Sequence, residues 1–133
     1  MTRLYVVDDD RSFLEVVQEV AAPLGFDTVV AEAANAFKSL YGCEPNAVVM
    51  IDMIMPDTDG IELLTWLCER PAGAVILVSG VAAYAQSASV LATAKGLKVT
   101  DRLSKPVKLA RLREALMAAK AAASADGDRS SSS

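Results

Sequence analysis

The fold is decided by a run of five apolar residues that ends on a carboxylate, AVVMID at residues 47–52. Such a short apolar run is typical of a strand that is buried on both faces of a parallel sheet. The loop that follows, MIMPDTDG at residues 53–60, is rich in turn-forming residues and leads into a segment with apolar residues at helical spacing. A buried strand, a loop and a helix together form the repeating unit of an α/β fold.

The same unit recurs along the chain. Further strand-like stretches lie at residues 4–7, 28–30, 75–78 and 99–103, and helical patterns separate them. The first, third and fourth strands are apolar throughout and are expected in the centre of the sheet, whereas the second and fifth carry polar residues and are expected at its edges. We therefore predict an α/β fold with a doubly wound, five-stranded parallel sheet in the flavodoxin-like order 2-1-3-4-5.

Length and composition limit the remaining options. The 133 residues fit one domain, which we place at residues 1–120, and the small polar residues 121–133 are expected to form a disordered tail or linker. A net charge of −4 disfavours direct binding of nucleic acid. No apolar run is long enough to cross a membrane. The two cysteines have no paired spacing, which indicates a reducing cytoplasm.

Polar side chains follow four of the five predicted strands at the point where each strand ends. Asp8 and Asp9 follow the first strand, Asp52 ends the third, Ser79 ends the fourth and Lys105 follows the fifth. Ligands of doubly wound sheets bind beyond the carboxyl ends of the strands. We therefore expect these five residues to form one site.

The charges of this site indicate a metal ion. Three carboxylates and one ammonium group leave a net charge of −2, which would raise the pKa of at least one carboxyl group. A divalent cation would neutralise the site, and ligands that are all oxygen favour Mg²⁺ or Mn²⁺ over Zn²⁺. The chain contains no histidine, which excludes a Ser-His-Asp triad, a His-ligated zinc site and phosphohistidine chemistry on this chain.

These motifs resemble the receiver domain of two-component response regulators. The resemblance rests on the Asp8-Asp9 pair, on the stretch from Asp52 to Gly60, on Ser79 and on Lys105-Pro106, and it covers about residues 3–120. It implies the (αβ)5 receiver fold and a role as a signalling switch. It implies no enzymatic activity beyond the domain's own phosphorylation and slow dephosphorylation.

The resemblance also implies a role for each site residue. Asp52 would be the phosphoacceptor. Mg²⁺, for which Mn²⁺ may be substituted experimentally, would be bound by Asp9, Asp52 and the backbone carbonyl of Ile54, and by Asp8 through water. Lys105 would pair with the phosphoryl oxygens. The Lys105-Pro106 bond is expected to be cis, as it is in the family.

Three further positions concern the response to phosphorylation. Ser79 would move to hydrogen-bond the phosphoryl group, and the backbone of Gly80 would contact it. Receiver domains usually carry a switch aromatic three residues before the lysine, but this chain has Arg102 at that position. Arg102 could meet a carboxylate of a partner, and an equally good interpretation is a solvated arginine on an edge strand.

The partners implied by the resemblance are a sensor histidine kinase or a phosphotransfer protein, and either a downstream protein target or an output domain outside these residues. The signal would leave through the face of the fourth helix, fifth strand and fifth helix, and a homodimer through this face is a further option. Two other functions stay open. A pseudo-receiver would bind partners without phosphorylation. A magnesium-dependent phosphohydrolase is weaker, because its acid/base position falls on Ile54, which cannot transfer a proton.

Overall fold

The structure, a computed structural model, describes residues 1–56 and 58–132, with the side chains of residues 58 and 125–132 left aside. Five strands alternate with five helices. The strands are β1 Thr2–Val7, β2 Phe26–Ala31, β3 Val48–Asp52, β4 Ala74–Ser79 and β5 Val99–Ser104. The helices are α1 Arg11–Ala21, α2 Ala34–Leu40, α3 Gly60–Cys68, α4 Ala82–Ala94 and α5 Leu109–Ser132.

The five strands form one parallel sheet in the order β2-β1-β3-β4-β5. The predicted fold class and strand order are therefore confirmed. The polarity of the strands explains the order, because every residue of β3 and β4 is buried, whereas β2 and β5 carry exposed positions at the two edges. A second, two-stranded antiparallel ribbon joins Ile54–Met55 to Thr58–Asp59 in the loop after β3.

Two hydrophobic clusters hold the helices on the two faces of the sheet. One cluster lies under α2, α3 and α4 and contains aromatic rings that pack edge to face, such as Tyr5 against Phe37 at 5.9 Å. The other lies under α1 and α5 and contains Leu14, Phe26 and Leu116. Both faces of the sheet are covered, as a doubly wound parallel sheet requires.

Helix α5 continues beyond residue 120, where the sequence predicts the end of the domain. Ala123 is fully buried in the cluster under α1 and α5, because the helix still lies against the sheet at this point. Helix α5 therefore still packs in this cluster at Ala123, and the domain boundary at residue 120 stays a prediction. Ser133 and the side chains of residues 125–132 lie outside the described part, so the expected disorder of the tail stays a prediction. Within the described part, no helix combines the length and the apolar character needed to span a bilayer.

Strand β5 contains a bulge that the sequence does not predict. Val99 pairs with Val75 and Asp101 pairs with Ile76, so that Thr100 is an extra residue in β5. A bulge changes which face of the sheet the following side chains occupy. As a result Asp101 reaches α5, where it pairs with Arg111.

Gly60 begins α3 at a place where the chain passes very close to the loop after β3. A Cβ atom at Gly60 would lie 2.6 Å from the backbone oxygen of Met53 and 2.7 Å from its Cε atom. Because Met53 is itself 2% exposed, neither the backbone nor the side chain has room to retreat. The position therefore requires glycine for steric reasons.

We expect Gly60→Ala to lower the free energy of unfolding by about 1–3 kcal/mol, as overpacking of a closed site does. Gly80→Ala is the matched control, because a Cβ atom there would meet no atom within 4 Å. Urea unfolding followed by circular dichroism measures both variants. Equal stability of the two variants would contradict the close approach at Gly60.

Candidate functional site

The carboxyl ends of β1 and β3 bring three carboxylates together. The two strands are neighbours, with Val7 paired to Ile51, so the residues that follow them emerge side by side. One carboxylate oxygen from each of Asp8, Asp9 and Asp52 lies within 4.8 Å of the others. Asp8 and Asp52 are buried, and Asp9 is exposed. The predicted convergence of the three carboxylates is therefore present in the structure.

Asp8 and Asp52 are oriented in the same way by the backbone that follows them. Oδ1 of Asp8 accepts a hydrogen bond of 2.9 Å from the N–H of Asp10, and Oδ1 of Asp52 accepts one of 3.0 Å from the N–H of Ile54. Each carboxylate thus bonds the N–H group two residues on, the pattern of an Asx turn. The second oxygen of each is left for the centre of the site.

Lys105 supplies the positive charge. Its Nζ atom lies 2.9 Å from Oδ2 of Asp8 and 3.3 Å from Oδ2 of Asp52. The backbone N–H of Lys105 donates to the carbonyl of Ser79 at 3.1 Å, which attaches the end of β5 to the end of β4. The Lys105-Pro106 bond is cis, as expected.

Burial and charge act in opposite directions on these groups. Burial, more than any neighbouring charge, raises the pKa of Asp8 to about 6, and the charge of Asp52 adds to the rise. The sequence predicts a raised carboxyl pKa, but from repulsion, which is a smaller cause here. Partial burial acts to lower the pKa of Lys105, but its contacts with Asp8 and Asp52 outweigh this effect and raise it.

The side chains of this site fit a hard divalent cation. Oδ2 of Asp8 is buried and has no hydrogen-bond partner of acceptable geometry in the described part of the chain, although the ammonium group of Lys105 lies near it. Asp9 makes no ion pair with any described residue, so its carboxylate is available as a ligand. Carboxylate oxygens without sulfur or imidazole donors suit Mg²⁺ or Mn²⁺.

Ser79 lies at the end of β4 and is completely buried. Its hydroxyl donates to the carbonyl of Val81 at 3.1 Å and accepts from the N–H of Val81 at 2.9 Å. Both bonding directions of the hydroxyl are thus used within its own loop. Gly80, between them, has open space where a side chain would be, with no atom within 4 Å of a Cβ position.

The remaining predicted residues lie at different distances from this centre. The backbone of Ile54 contacts the site through the bond from its N–H to Asp52, and its side chain is 50% exposed. Arg102 lies on β5, three residues before Lys105, and its side chain is exposed. The backbone of Ile54 is therefore part of the acidic site, whereas Arg102 lies on another surface, outside it.

Comparison with known proteins shows the family of the chain. Residues 4–117 match the model of the response regulator receiver domain. The chain belongs to this family. Its resemblance to receiver domains, predicted from the motifs, is thereby confirmed.

Individual relatives include both single-domain and longer proteins. The receiver is 32% identical to the chemotaxis protein CheY of Listeria monocytogenes over 119 residues, which cover 87% of this chain and 96% of that protein. It is 33% identical to the photosynthetic apparatus regulatory protein RegA of Rhodobacter capsulatus over 116 residues, 86% of this chain and 61% of RegA. The receiver thus spans about three fifths of the length of RegA.

Solved structures lead to the same family. A response regulator from Colwellia psychrerythraea superposes with a TM-score of 0.75 at 29% identity, and the match covers 96% of this chain and 98% of that one. The receiver domain from Methanospirillum hungatei, described as CheY-like, superposes with a TM-score of 0.74 at 24% identity, over 97% and 98% of the two chains.

Two side chains at the start of α1 act on the site, and the sequence indicates only one of them, the helix-start residue Asp10. The ring of Phe13 lies 4.9 Å from Nζ of Lys105 and gives the ammonium group an aromatic neighbour from α1. Asp10, the N-cap of α1, accepts from the N–H groups of Ser12 and Phe13 and so sets the direction in which α1 leaves the site. The role of Asp10 could be predicted from the sequence, because aspartate is a preferred N-cap residue. The contact between Phe13 and Lys105 could not, because the two residues are 92 positions apart in the chain.

The raised pKa of Asp8 predicts how pH affects the stability of the metal-free receiver. The folded protein keeps the Asp8 carboxyl group protonated up to about pH 6. The contribution of Asp8 to the free energy of unfolding is therefore complete below the ordinary carboxyl pKa of 3.8 and is lost as pH rises through 6. We expect Asp8→Asn to be more stable than the wild type at pH 7 by about 1–3 kcal/mol, and equally stable near pH 4.

Urea unfolding in the presence of a chelator, at both pH values, measures this difference. Asp27→Asn is the control, because Asp27 carries an exposed carboxylate 3.3 Å from Arg3 and should show little change. A less stable Asp8→Asn variant at pH 7 would show that Lys105 more than compensates for the burial of Asp8.

Proposed function

We propose that the chain is a phosphorylation-dependent signalling switch in which Asp52 accepts a phosphoryl group from a sensor histidine kinase or a phosphotransfer protein. One observation carries the proposal. The Asp52 carboxylate is 4% exposed, lies 3.3 Å from an ammonium group and shares a cluster with two further carboxylates that suit Mg²⁺. A structural role alone would not require such an accumulation of buried charge.

The chemistry follows from positioning and charge. A carboxylate oxygen of Asp52 forms the new bond to phosphorus while the bond from phosphorus to the donor nitrogen breaks, and the donor imidazole keeps the electron pair. The hydrogen bond from Ile54 N–H holds Asp52 in place, and Lys105 neutralises a phosphoryl oxygen. Mg²⁺, when bound, would supply further neutralisation of the phosphoryl oxygens.

Each residue around the nucleophile has a distinct proposed task. Asp9, Asp52 and the carbonyl of Ile54 would hold the metal directly, and Asp8 would hold it through water. Asp8 also keeps Lys105 in position, because its carboxylate lies 2.9 Å from the ammonium group. The backbone of Gly80 would contact the phosphoryl group, where the open space beside it leaves room for water.

Ser79 would carry the response. Its hydroxyl bonds Val81, the N-cap of α4, in the unphosphorylated structure. To bond a phosphoryl oxygen on Asp52, the hydroxyl must leave Val81, and the loop before α4 must adjust. We propose that this adjustment passes the signal to the α4-β5-α5 face, where a target protein, an output domain outside these residues or a second copy of the chain would bind.

The proposed setting is the cytoplasm, where the donor kinases of such switches act. Both cysteines of the chain are free thiols, which fits a reducing compartment. Catalysis by the domain would be limited to its own phosphorylation and slow dephosphorylation.

Incubation with Mg²⁺ and acetyl phosphate, followed by intact mass, tests the central step. We expect a gain of one phosphate that is lost in Asp52→Asn and on chelation of the metal. Asp59→Asn is the control, because Asp59 caps α3 and its carboxylate lies outside the metal-binding cluster. No gain with any donor or kinase would leave the chain as a pseudo-receiver.

The proposed role of Ser79 has a test of its own. We expect Ser79→Ala to gain phosphate on Asp52 but to show at most about half of the phosphorylation-induced amide shifts at the start of α4, because the hydroxyl that links the two is gone. Ser87→Ala, an exposed serine on the same helix, is the control. Shifts equal to those of the wild type would assign the response to another group.

A further inference from the structure

A polar groove runs between α4 and α5 along the edge strand β5, away from the acidic site. Its volume is about 270 Å³. It is lined by Ser89 of α4, by Val99, Thr100, Asp101 and Arg102 of β5, and by Arg111 of α5. Five of these six residues are polar or charged, so the groove suits a polar ligand group.

The bulge in β5 arranges the charges of this groove. Because Thr100 is an extra residue, Asp101 and Leu103 share the face toward α5, where Leu103 is buried under α1 and α5. Arg102 therefore lies on the opposite face, toward α4, since successive residues of a strand alternate. The hydroxyl of Thr100 is buried and has no hydrogen-bond partner among the described residues.

One positive charge in the groove is not compensated. Arg111 pairs with Asp101 and also lies 3.7 Å from Glu114. Arg102 makes no ion pair or hydrogen bond with any residue of the described part, and its side chain is exposed. The groove therefore presents a free guanidinium group, which prefers a carboxylate or a phosphate as its partner.

The helix beside the groove offers a complementary apolar surface. Helix α4 contains no charged residue along its 13 residues. Val90 follows Ser89 in the chain, is 65% exposed and lies outside the lining of the groove. An apolar contact on Val90 and a carboxylate on Arg102 could therefore come from one short segment of a protein partner.

We propose that this groove binds an acidic side chain of a protein partner, with Arg102 as the residue that recognises the carboxylate and Val90 as the adjoining apolar contact. The proposal rests on the proposed function, because it names the chemistry of the partner at the α4-β5-α5 face. A nucleic-acid partner is disfavoured, since the one unpaired arginine of this groove, on a chain of net charge −4, is a poor match for a phosphate backbone.

The test uses the whole 133-residue chain and two blocked peptides, Ac-Ala-Leu-Glu-Ala-Glu-Ala-NH2 and the same peptide with glutamine for glutamate. Amide shifts of isotope-labelled protein are followed as each peptide is added. We expect the glutamate peptide to shift the amides of residues 89–90 and 99–102. The glutamine peptide and Arg102→Gln should each weaken binding roughly fivefold, as loss of a surface ion pair does.

Arg113→Gln is the matched control, because Arg113 is exposed on α5 and does not line the groove. It should bind the glutamate peptide as the wild type does. Equal binding by Arg102→Gln, equal binding of the two peptides, or shifts only outside the groove would overturn the proposal. Tighter binding of a short oligothymidylate than of the glutamate peptide, at the same salt concentration, would assign the groove to nucleic acid instead. These measurements need no phosphorylation, so their failure is distinct from an absent mass gain on Asp52.

Discussion

Two carboxylates that are almost fully buried share one ammonium group, and the rest of the site depends on this arrangement. Asp8 and Asp52 end neighbouring strands, so the order of the sheet forces their charges together. Lys105 reaches them from the edge strand, and its backbone N–H bonds the end of β4. One ammonium group cannot neutralise two carboxylates and the adjacent Asp9, so the folded protein holds an excess negative charge where a cation fits. This excess charge lowers the stability of the folded protein, which is typical of a binding site.

The same constraint explains the loops around the site. Each buried carboxylate uses one oxygen on the N–H group two residues on, which bends the chain directly after β1 and after β3. After β3 this bend leads into the two-stranded ribbon and then to Gly60, where the chain passes too close to Met53 for any side chain. The loop that carries Asp52 into α3 therefore needs a glycine at the start of this helix.

Much of the fold and site follows from the sequence because parallel sheets obey simple rules. Apolar strands occupy the centre of the sheet, and the residues at the carboxyl ends of the strands lie on the same side of it. The sequence alone therefore predicts that Asp52 and Lys105 lie close together. Other features depend on packing that no single segment encodes. The bulge at Thr100 depends on the register between β4 and β5. The extent of α5 depends on whether Ala123 can pack in the cluster under α1 and α5. The cause of the raised pKa of Asp8 likewise needs the depth of burial, which charge counting cannot supply.

The replacement of the usual switch aromatic by Arg102 changes how a signal could cross this molecule. In the proposed switch, the hydroxyl of Ser79 leaves Val81 and thereby releases the N-cap of α4. Helix α4 forms one wall of the groove in which Arg102 lies, so a shift of α4 changes the width of that groove directly. An aromatic ring at this position would report the switch by turning between buried and exposed positions, but a guanidinium group is costly to bury without a partner. In the proposed switch Arg102 would therefore stay exposed in the groove, and the proposed motion of α4 would change how tightly a carboxylate binds there.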